Sequence, residues 1–216
     1  MAMDYGKGSR SENIFHCLRD RIVYLEYPPG RLLPEKELCG EFKVSRTPLR
    51  DAIQRLKEMK LVTVIPRYGT YVSSVDINEI RSAFEVKIKL EGLAGEVAAR
   101  RITPDKLAEL KSLIAKADAL LKKNGHRHLI EIDAQFHEII YQAAQNEILR
   151  DMLQNLHGRC ARLWISALGE IIPLAMIINQ LKEIYSSLEK RDSEGTRKLM
   201  EDHVRCFIDR IKSQLL

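Results

Sequence analysis

The spacing of hydrophobic residues changes near residue 75. Before this point, short segments with apolar residues at every third or fourth position alternate with prolines and with β-branched runs. After it, the helical spacing continues to the end of the chain, as in Leu107, Leu110, Ile114, Ala117 and Leu121. We therefore expect two domains, over residues 9–75 and 76–216.

The first part predicts the order helix, helix, turn, helix, hairpin. Ser11 is the expected N-cap of the first helix, which ends at the Pro-Pro-Gly of residues 28–30. A second helix begins at Pro34, and a tight turn at residues 43–44 separates it from a third helix capped by Ser45. The β-rich runs 61–65 and 70–75 are joined by a Pro-Arg-Tyr-Gly turn and predict a hairpin.

The second part predicts an antiparallel bundle of about six helices. Turn residues such as Thr103 and Gly169 separate stretches whose apolar residues recur with helical spacing. The expected helices run roughly over 77–101, 104–123, 128–145, 147–168, 171–190 and 193–214. The expected fold class is mainly α: a winged helix-turn-helix with a small β hairpin, then an all-α bundle.

Charge and composition narrow the class of protein. Residues 1–75 carry 13 Lys and Arg against 9 Asp and Glu, whereas residues 76–216 carry 22 against 21. A small basic module beside a nearly neutral one suits binding to phosphate. There is no run of about 18 apolar residues and no signal-peptide core, so we expect a cytoplasmic protein without a membrane span. The four cysteines are far apart, which argues against a zinc ribbon.

The third helix has two distinct faces. Its apolar residues lie on one side and are Leu49, Ala52, Ile53, Leu56 and Met59. Arg46, Thr47 and Arg50 lie on the other side, followed by Gln54 and Lys57. Arg and Gln can pair bidentately with guanine and adenine in the major groove. Most charged faces are simply solvated, but here the preceding helix, the turn and the basic hairpin supply the context of a recognition helix.

Three segments in this part resemble the winged helix of the GntR family. They are residues 28–38 (PPGRLLPEKEL), 44–52 (VSRTPLRDA) and 66–72 (PRYGTYV). The resemblance implies that Lys36, Arg46, Thr47 and Arg50 contact DNA. It also implies that the wing around Arg67 and Gly69 lies against a minor groove. One departure is Lys43, where relatives usually have Gly, and a positive φ there would cost on the order of 1 kcal/mol.

The helical part resembles the FCD ligand-binding domain of FadR-type regulators, in their VanR-like branch. The similar segments are 90–91 (LE), 98–101 (AARR), 133–137 (DAQFH), 146–149 (NEIL), 191–192 (RD) and 200–203 (MEDH). Such domains commonly hold a divalent metal with one Asp and three His. Asp133, His137 and His203 match this pattern, but Leu181 stands where the remaining His is expected.

The residues leave two interpretations of this set open. Asp133 and His137 are four positions apart and share a helix face, so with His203 they could hold Zn²⁺ or Ni²⁺. Alternatively, both histidines are core residues hydrogen-bonded to Asp133. If no metal is present, Lys87 and Arg162 are the candidate partners for an acidic effector, although for each a surface location is the more ordinary expectation.

Together these patterns predict a ligand-responsive transcription regulator, expected to be a repressor. It would bind a palindromic operator in double-stranded DNA as a homodimer, with affinity set by a small carboxylate metabolite. One alternative is a metal-dependent enzyme, but His137-Glu138 is followed by Tyr141 rather than the second His of the HExxH motif, so no enzyme is expected. The other alternative is an architectural DNA-binding protein, which would bind without sequence preference.

Overall fold

The computed structural model describes residues 9–74, 77–121, 126–167 and 173–215. Within these ranges, the side chains of residues 77–80, 126–127, 159, 161–167 and 210–215 are not described. The chain forms two compact units, one mainly from its first 80 residues and one mainly from the rest. The expected boundary at residue 75 lies outside the described residues and stays a prediction.

The first unit has the expected order of elements. It contains α1 (Arg10–Val23), α2 (Glu35–Phe42), α3 (Arg46–Glu58), β1 (Val62–Ile65) and β2 (Gly69–Val72). Its core is formed by side chains that are almost completely buried, namely Leu18, Ile22, Leu49, Leu56 and Leu61. The first four lie on the helix faces that the apolar spacing predicted, and Leu61 lies just before β1.

The start of α1 corrects one expectation. Ser9, and not Ser11, is the N-cap, because the Ser9 hydroxyl accepts a hydrogen bond from the backbone N–H of Glu12 at 3.2 Å. Residues 9–12 match the Ser-x-x-Glu pattern of a capping box, which a cap at Ser11 would not. Helix α1 therefore begins earlier than predicted.

The turn between α2 and α3 has the strain expected of Lys43. This residue ends α2 in the left-handed conformation, with φ +53° and ψ 48°. A side chain in this region costs on the order of 1 kcal/mol. Ser45 precedes α3 with extended dihedrals, as an N-cap should, but its side chain makes no capping hydrogen bond in the described structure.

The hairpin pairs β1 with β2 in antiparallel register, from Val62 opposite Val72 to Ile65 opposite Gly69. Arg67 in the turn has φ +68°, and Gly69 has φ +126°. A Cβ atom on Gly69 would lie 2.9 Å from Cδ1 of Leu32, so the position needs glycine for space as well as for conformation. The second strand ends at Val72, earlier than the predicted run to residue 75.

The rest of the chain forms long helices, which make up most of the second unit. They are α4 (Ile77–Arg101), α5 (Pro104–Leu120), α6 (His126–Ala143), α7 (Glu147–Ala167), α8 (Leu174–Glu189) and α9 (Ser193–Leu215). Thr103 caps α5 by accepting from the N–H of Lys106, with Pro104 in the first turn. Among the described residues, no helix is long and apolar enough to cross a membrane.

The interior of this unit combines apolar and charged side chains. Its fully buried apolar residues include Leu110, Phe136, Ile140, Leu153, Leu181 and Leu188. Charged or polar side chains are buried beside them, namely Lys87, Glu91, Asp133, His137 and His203. Burying ionisable groups is costly unless they have partners, so this cluster needs an explanation beyond packing.

Candidate functional site

The outer face of α3 presents the residues expected to read DNA. Leu49 is buried, whereas Arg46, Thr47 and Arg50 are exposed. The Arg50 guanidinium is held by Glu35 of α2, with Nε 3.1 Å from both carboxylate oxygens. In this structure the two side chains form an exposed ion pair, with Nη2 of Arg50 3.1 Å from Oε2 of Glu35.

The remaining expected DNA contacts are also exposed. Lys36 lies in the first turn of α2, and Arg67 lies in the turn of the hairpin. Gly69 is partly exposed at the start of β2, beside Tyr68, whose side chain is 75% exposed. These positions are compatible with a winged helix on DNA, and the individual contacts stay predictions.

The second unit brings together the three expected metal ligands. Asp133 and His137 lie one turn apart on α6, and His203 lies on α9. All three side chains are buried, and each offers a ligand atom within 4.8 Å of the others. Within the described residues this is the one such group of potential metal ligands.

We use the name metal cluster for the side chains of Asp133, His137 and His203. In each histidine of this cluster, Nε2 is the ring nitrogen that faces Asp133. Nε2 of His203 lies 3.2 Å from Oδ1 of Asp133, and Nε2 of His137 lies 3.8 Å from Oδ2. The Nδ1 atoms face other acceptors: Oε1 of Gln180 is 3.0 Å from His203, and Oε2 of Glu91 is 3.0 Å from His137. A ligating histidine usually has such an acceptor on its second nitrogen.

An unpaired buried oxygen tests whether these residues fit a metal ion. Oδ1 of Asp133 has no hydrogen-bond partner among the described residues, although Nε2 of His203 lies 3.2 Å from it. The 3.8 Å separation from His137 is too long for a hydrogen bond. The unpaired oxygen of Asp133 is therefore compatible with a metal ligand, and the choice between a metal site and core histidines stays a prediction.

Electrostatic coupling governs the ionisation of this cluster. Burial raises the pKa of Asp133, but His137 and His203 outweigh it and the pKa is lowered, so the carboxylate is ionised. Burial lowers the pKa of His137, but Glu91 and Asp133 outweigh it and the pKa is raised. A metal ion would therefore compete with a proton for Nε2 of His137.

Glu91 is the centre of a second buried network on α4. Its carboxylate accepts from Lys87, from the Tyr141 hydroxyl at 2.5 Å and from His137. Burial raises the pKa of Glu91, but His137 and Lys87 outweigh it and hold the pKa well below its usual value. Lys87 is only 5% exposed, so the expected surface location was wrong: Glu91, four residues further along α4, pairs with it inside the bundle.

The sequence assigned no role to several residues around the metal cluster. Tyr141 shares a face of α6 with Asp133 and His137. It lies four residues after His137 and eight after Asp133, and this helical spacing could have indicated its place from the sequence. Burial, and next the Lys87 ammonium, lower the pKa of His157 to about 3, so this imidazole is neutral at pH 7. Its ring centroid lies 6.2 Å from that of His137. The Arg162 side chain lies outside the described residues.

Comparisons with known proteins identify the family of the chain. Residues 82–205 match the FCD domain family, and residues 10–72 match the family described as bacterial regulatory proteins, gntR family. The chain belongs to the GntR family and carries an FCD domain. Its relatives are transcription regulators rather than enzymes, so it is a DNA-binding transcription regulator.

Individual relatives extend over most of the chain. The transcriptional repressor RspR of Escherichia coli K12 is 27% identical over 202 residues, 94% of this chain and 89% of RspR. The regulator McbR of the same organism is 27% identical over 172 residues, covering 78% of this chain and 77% of McbR.

Solved structures share the fold. The structure of E. coli McbR/YncC has a TM-score of 0.86 at 24% identity, covering 97% of this chain and 100% of that one. A GntR regulator from Rhodococcus sp. RHA1 has a TM-score of 0.72 at 18% identity, covering 96% of this chain and 97% of that one.

Regulators of the GntR family typically act as dimers.

Proposed function

We propose that this regulator is a repressor whose operator affinity changes when a small carboxylate binds in the FCD domain. The bound acid would lie at a divalent metal ion, Zn²⁺ or Ni²⁺, held by Asp133, His137 and His203. The observation that carries the proposal is the buried Oδ1 atom of Asp133, which has no hydrogen-bond partner among the described residues and has an imidazole nitrogen 3.2 Å away.

The charge of the ligand set supports an anionic effector. One carboxylate and two neutral imidazoles leave a divalent ion with a net positive charge, in a site where low polarity strengthens electrostatic attraction. Three protein ligands also leave coordination positions open, and an oxygen of a small acid can occupy one of them.

The other candidate cations contribute differently. The Lys87 ammonium is paired with Glu91 in the interior, so it is not a free counter-charge for an acid. Lys87 nevertheless lies in the same buried network as His137, through Glu91, and remains a candidate neighbour of the effector. Arg162 stays a candidate effector contact from the sequence.

On DNA, we expect a homodimer that places one α3 in the major groove of each half of a palindromic operator. Arg46, Thr47 and Arg50 would reach base edges or phosphates, while Lys36 and the wing at Arg67 and Gly69 would contact the backbone and minor groove. The exposure of these side chains on one unit supports this assignment.

The test is a binding titration on a DNA site selected from a random duplex library. Protein treated with EDTA is titrated by fluorescence anisotropy, first alone, then with Zn²⁺ or Ni²⁺, and then with the metal and a panel of small carboxylic acids. We expect at least one acid to change operator affinity in the presence of metal. Equal binding to all sequences would instead favour the architectural protein.

Two variants assign any response to the cluster. Asp133→Asn removes the charged ligand and should bind DNA without responding to metal and acid. Asp151→Asn changes an exposed carboxylate on α7 and should respond as the wild type does. A response that persists in Asp133→Asn would contradict the proposed site. In vitro transcription from a promoter bearing the selected site should fall when protein is added, and a rise would show activation instead.

The name of the relative RspR, a transcriptional repressor, supports the expected sign of regulation.

A further inference from the structure

Both histidines of the metal cluster make their second hydrogen bond to a residue outside the ligand set. We propose that Gln180 and Glu91 are positioning residues, which hold His203 and His137 with Nε2 free for a metal ion. The proposal rests on the metal site of the proposed function, and it assigns a role to two residues that the ligand pattern does not include.

The geometry at His203 is the clearest case. Oε1 of Gln180 lies 3.0 Å from Nδ1 of His203, and an amide oxygen can only accept a hydrogen bond. In the singly protonated ring that proton is therefore on Nδ1, and Nε2 carries a lone pair. That lone pair lies 3.2 Å from Oδ1 of Asp133, so two acceptors face each other with no hydrogen between them. A cation is the partner that both atoms can share.

Glu91 plays the corresponding part at His137. A carboxylate also only accepts, so Nδ1 of His137 carries a proton towards Oε2 of Glu91 at 3.0 Å. The other oxygen, Oε1, accepts from Lys87 and Tyr141. Because both oxygens are occupied, Glu91 is anchored on α4 and orients His137 rather than joining Asp133 as a ligand.

The place of Gln180 in the sequence accounts for its role. It immediately precedes Leu181, where the family resemblance expects a further histidine, and both residues lie on α8. Helix α8 thus supplies a hydrogen-bond acceptor for the ligand His203, and it does not supply a metal ligand itself. Loss of such an outer hydrogen bond typically weakens metal binding by about 10- to 100-fold.

The first test compares metal affinities of the full-length protein by competition with a chelating dye for Zn²⁺. Gln180→Met removes the acceptor with little change of shape and should weaken binding about 10- to 100-fold. Gln180→Glu keeps a hydrogen-bond acceptor and should bind Zn²⁺ about as tightly as the wild type does. Asn179→Leu, at an exposed position of the same helix, makes a similar change of polarity and should leave affinity unchanged. Equal affinities for wild type and Gln180→Met would overturn the proposal.

The second test observes the tautomer directly and needs no metal. In a long-range ¹H–¹⁵N spectrum of the metal-free protein, we expect the proton of His203 on Nδ1 in the wild type and in Gln180→Glu. In Gln180→Met it should be lost from Nδ1 or shared between the nitrogens. A wild-type proton on Nε2 would overturn the proposal. If the tautomer depends on Gln180 but the wild type takes up no Zn²⁺, then the metal function fails and the positioning of His203 stands.

Discussion

Leu181 offers the most direct test of how closely this domain follows the metal-binding pattern of its family. The side chain is fully buried on α8, as the apolar spacing predicted, and it stands at the position expected for a fourth ligand. We predict that Leu181→His lowers the stability of the metal-free protein and raises its affinity for divalent metal. The variant should therefore be less stable than the wild type without metal and should gain more stability than the wild type when metal is added.

The expected magnitudes follow from the burial of Leu181. Replacing a fully buried leucine forfeits part of the roughly 1.5–3 kcal/mol gained by burying it, and an unpaired buried imidazole costs about 1–3 kcal/mol. A net loss of about 3 kcal/mol corresponds to a fall in Tm of about 6–12 °C for a chain of this size. A free metal concentration 100 times Kd raises the free energy of unfolding by about 2.7 kcal/mol.

Calorimetry of EDTA-treated protein, with and without Zn²⁺ or Ni²⁺, measures both effects. Leu188→His is the matched control, because Leu188 is equally buried on the same helix, about 10 Å away along its axis. The control should lose stability without gaining any metal-dependent rise beyond that of the wild type. If Leu181→His behaves like this control, the side chain at 181 does not reach the metal cluster, and the reasoning from the family pattern is refuted.

Three further predictions concern the DNA-binding unit. Arg46→Ala and Arg50→Ala should each cost about 1–3 kcal/mol of operator affinity in anisotropy titrations, whereas Lys111→Ala, an exposed cation on α5, should not change it. Lys43→Gly should raise the free energy of unfolding in urea by about 0.5–1 kcal/mol, because relief of the left-handed strain exceeds the entropy cost of glycine. Specific binding should be dimeric, and log K should fall with log salt by about 0.9 for each phosphate contact.

Each of these has a result that would count against it. Normal operator binding by both arginine variants would mean that α3 is not the recognition helix. A Lys43→Gly protein no more stable than wild type would mean that the turn is unstrained, and Lys57→Gly, within α3, provides the comparison in which glycine should not stabilise. A sedimenting monomer that protects a full palindrome, or affinity that is independent of salt, would contradict the third.

The fold could be predicted from the sequence because its signals are local. Apolar spacing located the helices of both units to within a few residues, and it correctly predicted that Leu181 is buried. The positive φ of Lys43 followed from a single residue in a tight turn. The error at the N-terminus was also local: two serines were available, and only Ser9 has a Glu three residues later to complete the capping box.

The surroundings of the metal cluster could not be predicted in this way. Lys87 is buried because its partner Glu91 is itself held by His137, a residue 46 positions away on another helix. Gln180 contacts His203 across 23 positions. Side chains that are distant in sequence and adjacent in space leave no periodic signal, so a lone lysine looked like a surface residue and a lone glutamine had no apparent role.

The buried polar groups also have a consequence for how the domain opens. Hydrogen bonds of Glu91 join α4 to α6, and a hydrogen bond of His203 joins α9 to α8. The 3.2 Å contact between Nε2 of His203 and Oδ1 of Asp133 connects the two pairs of helices. If any one of these helices frays alone, it leaves charged or polar partners without hydrogen bonds in an apolar interior. Slowly exchanging amide protons in the four helices should therefore exchange together, as one cooperative unit. Helix α4, which follows the wing in the chain, should belong to that unit.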